Sequence, residues 1–273
     1  MKNVSWPGRG ATLTALFTAL AALAILMPTA SSSAAEEVKI EWLTWSFFRI
    51  TSPGGKVILT NPWATNPDSQ ITVEDITAAD IILVPTGHRD EVGNTVEIAN
   101  KTGAKVVTTW EMAGGAFRDK IPNEQLVRTQ PGSDLTVEGI KIRVVQAVHG
   151  TGGKDALYGG PALGFFLTFE NGYTLYFSGS TDLTSDMRLW GALFQPDGAI
   201  LYAHRHMNPR DIAYMAHLLS AENTNLKIVI PHHHRLKPTP GRTPADLGQA
   251  MADLGLKAKL LDPKPGIVYT LSK

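Results

Sequence analysis

Apolar and polar positions fall in short runs through the first half of the chain, then settle into a strand–helix rhythm. Val38–Leu43, Phe47–Thr51 and Lys56–Thr60 read as β-strands, with Pro53-Gly54-Gly55 as a turn. Asp80–Val84 is a short continuous apolar run, the mark of a buried strand. A polar loop, Pro85–Asp90, leads into Glu91–Thr102, where Val92, Val96 and Ile98–Ala99 have helical spacing and Gly103 reads as a C-cap. Lys105–Thr109 returns as a strand. Asp134–Val137, Ile140–Val148, Leu163–Glu170 and Tyr173–Ser178 are further strands, and Asn171-Gly172 predicts a two-residue hairpin. Towards the C-terminus, Gly198–Tyr202 and Leu226–Ile230 read as strands. Pro209–Ser220 reads as a helix with Pro in its first turn, and Pro244–Leu254 as another. Ala258–Leu261 and Ile267–Leu271 close the chain as strands. Strands lead in each half and helices follow, which predicts two mixed sheets packed together with helices outside, a layered α/β sandwich.

The first 35 residues follow a different pattern. Lys2 and Arg9 are the only charges before Glu36, Thr12–Met27 is apolar or small, and Ser31–Ala35 is small throughout. That order reads as a secretory signal peptide cleaved after Ala35, with an uncleaved anchor as the alternative. The apolar run is shorter than the ~20 residues of a membrane span. The expected location is periplasmic or secreted, with no membrane attachment after cleavage. Without a twin-Arg pair, the expected route is export of the unfolded chain, with any metal acquired afterwards. Residues 36–273 then form one domain.

Composition narrows the chemistry. The chain has 25 basic and 25 acidic residues, so no net positive charge favours nucleic acid. It has no Cys, which excludes disulfides, thiolate metal sites and a Cys nucleophile. Any metal must be held by His, Asp, Glu and water.

Seven of the eight His lie just beyond the end of a predicted strand: His88, His149, His204, His206, His232, His233 and His234. His217 lies inside a predicted helix and reads as a surface or packing residue. Ligand sites in α/β sheets lie outside the C-terminal ends of strands. Imidazole both binds metals and titrates near neutral pH, so these His point to a shared metal or acid–base cleft. Asp90 and Glu91 also suit a helix N-terminus on dipole grounds alone. Gly150-Thr151-Gly152-Gly153-Lys154 lacks the full phosphate-loop pattern and reads as a loop beside the site. Arg205, Arg235 and Lys237 offer a positive rim or an ordinary solvated surface. Trp45, Trp63 and Trp110 are core or cleft-lining residues.

Several landmarks carry a family likeness: Leu43-Thr44-Trp45-Ser46, Thr60-Asn61-Pro62-Trp63, Ala79–Val84 with the His88 loop, Ala147-Val148-His149, Gly179-Ser180-Thr181 and Pro231-His232-His233. In order and spacing the chain resembles the metallo-β-lactamase fold. Within it, the chain is similar to metal-dependent hydrolases of the L-ascorbate-6-phosphate lactonase kind. The resemblance implies an αββα sandwich of two similar halves with a metal site at one edge.

The resemblance also implies a ligand set, and the chain departs from it. The family loop His-x-His-x-Asp-His aligns with Thr86-Gly87-His88-Arg89-Asp90-Glu91. His88 and Asp90 keep the pattern, while Thr86 and Glu91 stand where it has His. His149 and His233 keep their positions, and Ser180 stands where a bridging Asp belongs. Thr44-Trp45 replaces a Gly-His segment, and Asn61 an Asp.

Two readings follow. In the first, His88, Asp90, His149 and His233, with Glu91 as a substitute ligand, hold a divalent metal at an altered, mononuclear site. Zinc is the first candidate, with manganese or iron also suited to these donors. A metal-bound water then attacks an ester, lactone or phosphoester, with Asp90 and His233 as the catalytic groups. In the second, the chain is a non-catalytic relative without metal, whose cleft binds a small-molecule ligand or a protein partner. A further variant is His acid–base chemistry without metal, with His149 or His233 as the base.

Overall fold

A computed structural model describes residues 37–152 and 158–273. The leader expected over residues 1–35 lies outside the described residues. Among those described, no helix is long and apolar enough to cross a membrane.

Two seven-stranded sheets form the centre. The first runs in the order β14-β1-β2-β3-β4-β5-β6, where β1 is Val38–Trp42, β2 Phe48–Thr51, β3 Val57–Thr60, β4 Ile81–Leu83, β5 Lys105–Thr109, β6 Leu126–Thr129 and β14 Val268–Leu271. The second runs β13-β12-β11-β10-β9-β8-β7, with β7 Asp134–Val137, β8 Ile140–Gln146, β9 Leu163–Thr168, β10 Thr174–Phe177, β11 Gly198–Tyr202, β12 Ile228–His232 and β13 Lys259–Leu260. Each sheet has an antiparallel half and a parallel half, β3–β6 in one and β10–β13 in the other.

Side-chain alternation explains the layering. Ile81 and Leu83 of β4 enter the apolar layer between the sheets, while Ile82 enters a second layer beneath helices. On β12, Ile230 packs between the sheets and Val229 packs outward. Both faces of these strands are covered, so their sequences are continuously apolar. The outer layers are closed by α2 (Thr95–Thr102) and α3 (Trp110–Gly114) on one side. On the other side lie α4 (Asp186–Phe194), α5 (Pro209–Ser220) and α6 (Pro244–Asp253). The result is the αββα sandwich.

The expected strands and the last two helices recur with small end shifts. Pro209 opens α5, and a reciprocal Thr243–Asp246 capping box opens α6. Four features differ. The helix expected over Glu91–Thr102 is broken at Gly93 into α1 (Arg89–Val92) and α2. Gly93 has φ +47°, and a Cβ there would sit 2.6 Å from Pro62 O and from Trp63 Cα, so the chain turns where only Gly fits. The hairpin at Asn171-Gly172 is longer than two residues: Phe169 and Tyr173 pair, and Gly172 takes the left-handed position at φ +77°. β6, α3 and α4 are not among the expected elements: β6 and α3 span only four and five residues, while α4 does carry helical spacing at Met187, Trp190 and Gly191. Finally, β12 runs two residues further than expected and takes His232 into the strand.

Gly93→Ala is expected to destabilise the protein by roughly 2–4 kcal/mol, because backbone atoms rather than flexible side chains must move. Urea denaturation checks this. A change below about 1 kcal/mol would show that the α1–α2 junction tolerates a side chain.

Candidate functional site

The strand ends deliver the site. Thr86, His88 and α1 follow β4 of the first sheet. His149 follows β8, Ser180 follows β10, His204 follows β11 and His233 follows β12, all of the second. The site lies where the two sheets share an edge.

Two pairs form its centre. His233 Nε2 lies 2.9 Å from Asp90 Oδ2, with the imidazole buried and the carboxylate about one-quarter exposed. His88 and His149 stand edge to face, ring centroids 5.0 Å apart, with His149 open to solvent. Burial works to raise the Asp90 pKa, but the His233 hydrogen bond and charge outweigh it and hold the carboxyl below its ordinary value. Although exposed, the His149 ring is in part desolvated by its neighbours, and that first, then the positive charge of His88 and His233, lowers its pKa. Its imidazole is therefore held towards the neutral form.

His233 is placed by an unusual backbone. It has φ +67°, and Thr44 and Trp45 also lie in the left-handed region, at φ 82° and 54°. An isolated bridge pairs Trp45 with His234, and the Trp45 carbonyl accepts from the His233 N–H at 2.9 Å and from Trp42 Nε1 at 2.8 Å. The segment standing in for a family Gly-His thus holds the backbone of a surviving His.

Glu91, expected as a substitute metal ligand, has a different placement. It is 1% exposed, and its two carboxylate oxygens accept hydrogen bonds from the hydroxyls of Thr86 and Ser180. Burial raises its pKa. Sequence reasoning missed Tyr202, the last residue of β11. It lies 5.0 Å from His233 and 5.6 Å from His149, ring to ring, and next to Ser180. Its position just before the His204-x-His206 pair was the available signal.

The remaining His separate by burial. His232 is fully buried, with Nε2 3.2 Å from Gly179 O and 3.3 Å from Ser178 Oγ. His234 packs on Trp42 at 4.6 Å. Both are packing residues. His204 borders the site, 5.2 Å from His233, with His206 4.9 Å beyond it. Burial and the neighbouring cations lower its pKa to about 4. His217 sits on α5 against Tyr214, as expected. Beside His204 and His233 opens a small, solvent-open cleft of about 30 Å³ whose walls include Trp45, Arg205, Arg235, Lys237 and Arg242. Trp63 backs Trp45 edge-on at 5.2 Å. Trp110 is exposed beside Arg128 and belongs to another surface. Gly150 adjoins His88; residues 153 and 154 of the same loop lie outside the described residues.

Comparisons with known proteins agree with this architecture. Residues 39–233 match the family model described as Beta-lactamase superfamily domain. A UPF0173 metal-dependent hydrolase of Thermodesulfovibrio yellowstonii is 33% identical over 261 residues, covering 89% of this chain and 95% of the relative. One of Koribacter versatilis is 37% identical over 216 residues, covering 77% and 90%. Among solved structures, the metallo hydrolase Igni18 of Ignicoccus hospitalis superposes with TM-score 0.73 at 25% identity, over 87% of this chain and 99% of its own.

Such relatives imply a divalent metal. The side chains here do not fit the two-ion set implied by the resemblance. Thr86 and Ser180 donate to Glu91, which occupies both oxygens of that carboxylate. The four remaining donors stand as two pairs, and no three His, Asp or Glu among the described residues surround a common point.

These environments set an acid limit on stability. His204 titrates near 6.5 in an unfolded chain and at about 4 here, so between those values the unfolded state binds a proton that the folded state refuses. Stability is present above about 6.5 and is lost as pH falls towards 4. His149, His232 and His234 act in the same direction, while Glu91, with its raised pKa, acts in the opposite one. The melting temperature of the wild type is expected to fall more steeply from pH 7 to 4.5 than that of His204→Gln. Parallel curves would show that His204 is not held neutral.

Proposed function

The chain belongs to the metallo-β-lactamase superfamily, whose relatives are described as metal-dependent hydrolases, and because its own side chains do not fit the two-ion set we propose that it hydrolyses an ester, lactone or phosphoester at an altered site worked by His149, Asp90 and His233. The observation that carries this is the buried His233–Asp90 contact at 2.9 Å beside a solvent-open His149.

Each group has a role its surroundings suit. His149 is a neutral imidazole at the mouth and takes a proton from water. The water oxygen bonds to the carbonyl carbon or phosphorus, the bond to the leaving oxygen breaks, and the His149 imidazolium returns its proton to that oxygen. Asp90 stays ionised and its charge stabilises that imidazolium. His233 positions Asp90 and keeps its carboxylate from turning. This is the nucleophile–base–orienter logic of other hydrolytic sites, with water as the nucleophile.

The adjoining cleft favours an anionic substrate. Arg235 is paired with Asp68, whereas Arg205 and Lys237 reach the cleft with no carboxylate partner among the described residues. An ester carrying a phosphate or carboxylate suits these cations, and Trp45 offers a flat apolar wall. The leader-like residues 1–35 support action in the periplasm or outside the cell.

The test is turnover of a panel of lactones, carboxylic esters and phosphoesters by untagged protein with and without chelator, with metal per chain measured by mass spectrometry. The expected result is turnover that survives chelation and falls about 100-fold or more in His149→Ala and in Asp90→Asn. Activity that needs about one metal per chain, bound by wild type but lost from His88→Ala/His233→Ala, would overturn this assignment in favour of a metal-activated water. No turnover by folded protein would overturn hydrolysis and leave a binding cleft.

A further inference from the structure

Thr86, Glu91 and Ser180 are the three departures within the ligand set, and they meet one another. Thr86 follows β4, Glu91 lies in α1 and Ser180 follows β10, 89 residues further on from Glu91. Thr86 and Ser180 are 0% exposed and Glu91 is 1% exposed. The Thr86 hydroxyl donates to Oε2 of Glu91 and the Ser180 hydroxyl to Oε1, so each oxygen has its own donor. Independent losses of three ligands would have no reason to satisfy one another. A buried carboxylate needs strong donors, and an unpaired one is costly.

We propose that these three residues are a single coupled exchange, in which two hydroxyl protons replace a cation as the partners of one buried carboxylate. The pattern of the resemblance brings two imidazoles and a carboxylate to these positions; the chain brings two hydroxyls and a carboxylate, moved from position 180 to position 91. Partial reversal is therefore worse than none. Glu91→His alone leaves two buried hydroxyls without an acceptor. Ser180→Asp alone sets a second carboxylate against Glu91. Thr86→His alone removes one of two donors and adds bulk at a fully buried position. Only the joint change restores a consistent set. This inference does not depend on the reaction proposed above, because its readouts are ion uptake and stability rather than turnover.

The test compares wild type, the three single variants and Thr86→His/Glu91→His/Ser180→Asp. Each is incubated with zinc or manganese, desalted and measured for metal per chain and melting temperature. Each single variant is expected to melt about 5 °C or more below wild type and to take up no more metal than wild type. The triple variant is expected to take up about one further ion per chain or more and to regain melting temperature with zinc. The proposal is overturned if Glu91→His alone takes up as much metal as the triple variant, or if the folded triple variant takes up no more than wild type. Should the triple variant not fold, Thr86→Val and Ser180→Ala, each with and without Glu91→Gln, decide the matter. Their effects on melting temperature are expected to be non-additive, because all act through one carboxylate, and additive effects would overturn the proposal.

Discussion

A carboxylate removed from water must find hydrogen-bond donors or give up its charge, and Glu91 sits at 1% exposure. Its two donors come from different sheets, Thr86 after β4 and Ser180 after β10. Satisfying one side chain therefore ties the two halves of the sandwich together at the edge where the site lies. The same contact orients its neighbour. Successive residues on a helix point about 100° apart, so with Glu91 turned inward, Asp90 is turned aside, towards His233.

The partner of Asp90 is held with equal care by different means. His233 and the Thr44–Trp45 segment adopt left-handed backbone, which L-residues with side chains adopt only where the surroundings over-determine it. Here the Trp45–His234 bridge and two donors on one carbonyl do so. The pair thus rests on backbone from β1's end and from β12's end at once. This kind of rigidity suits a site in which a small error in position is expensive.

The fold and the chemistry rest on different residues. The three apolar layers and the mixed sheets are those of the metallo-β-lactamase sandwich, and the relatives at 33% and 37% identity carry the family's metal-dependent hydrolase description. Folds host many activities, and a site is read from its own side chains. In this chain the cleft, the sheet edge and four of the family's donors persist, while the rest of the ligand set has become a hydrogen-bonded cluster. The imidazoles around it sort by depth: His232 is fully buried, His234 is packed on Trp42 and reaches the cleft wall with His204 and His233, and His149 is exposed beside them.

By itself the sequence determined the layer order, because side-chain periodicity reports which faces are buried and that depends only on near neighbours along the chain. It also placed His88, His204 and His233 at one edge, since each follows a strand of a parallel half, whereas His149 follows β8, whose direction comes from its antiparallel pairing with β7 and β9. The motif departures at Thr86, Glu91 and Ser180 were equally legible, but only as losses. Their meaning was decided by tertiary structure: a hydrogen bond between residues 86 and 91 and another across 89 positions leave no periodic trace. The same holds for Gly93, whose turn is forced by the backbone of Pro62 and Trp63, and for Tyr202, whose place among the imidazoles comes from strand register. Burial patterns are local and survive in the sequence; which distant polar groups share a desolvated space is settled only when the sheets pack.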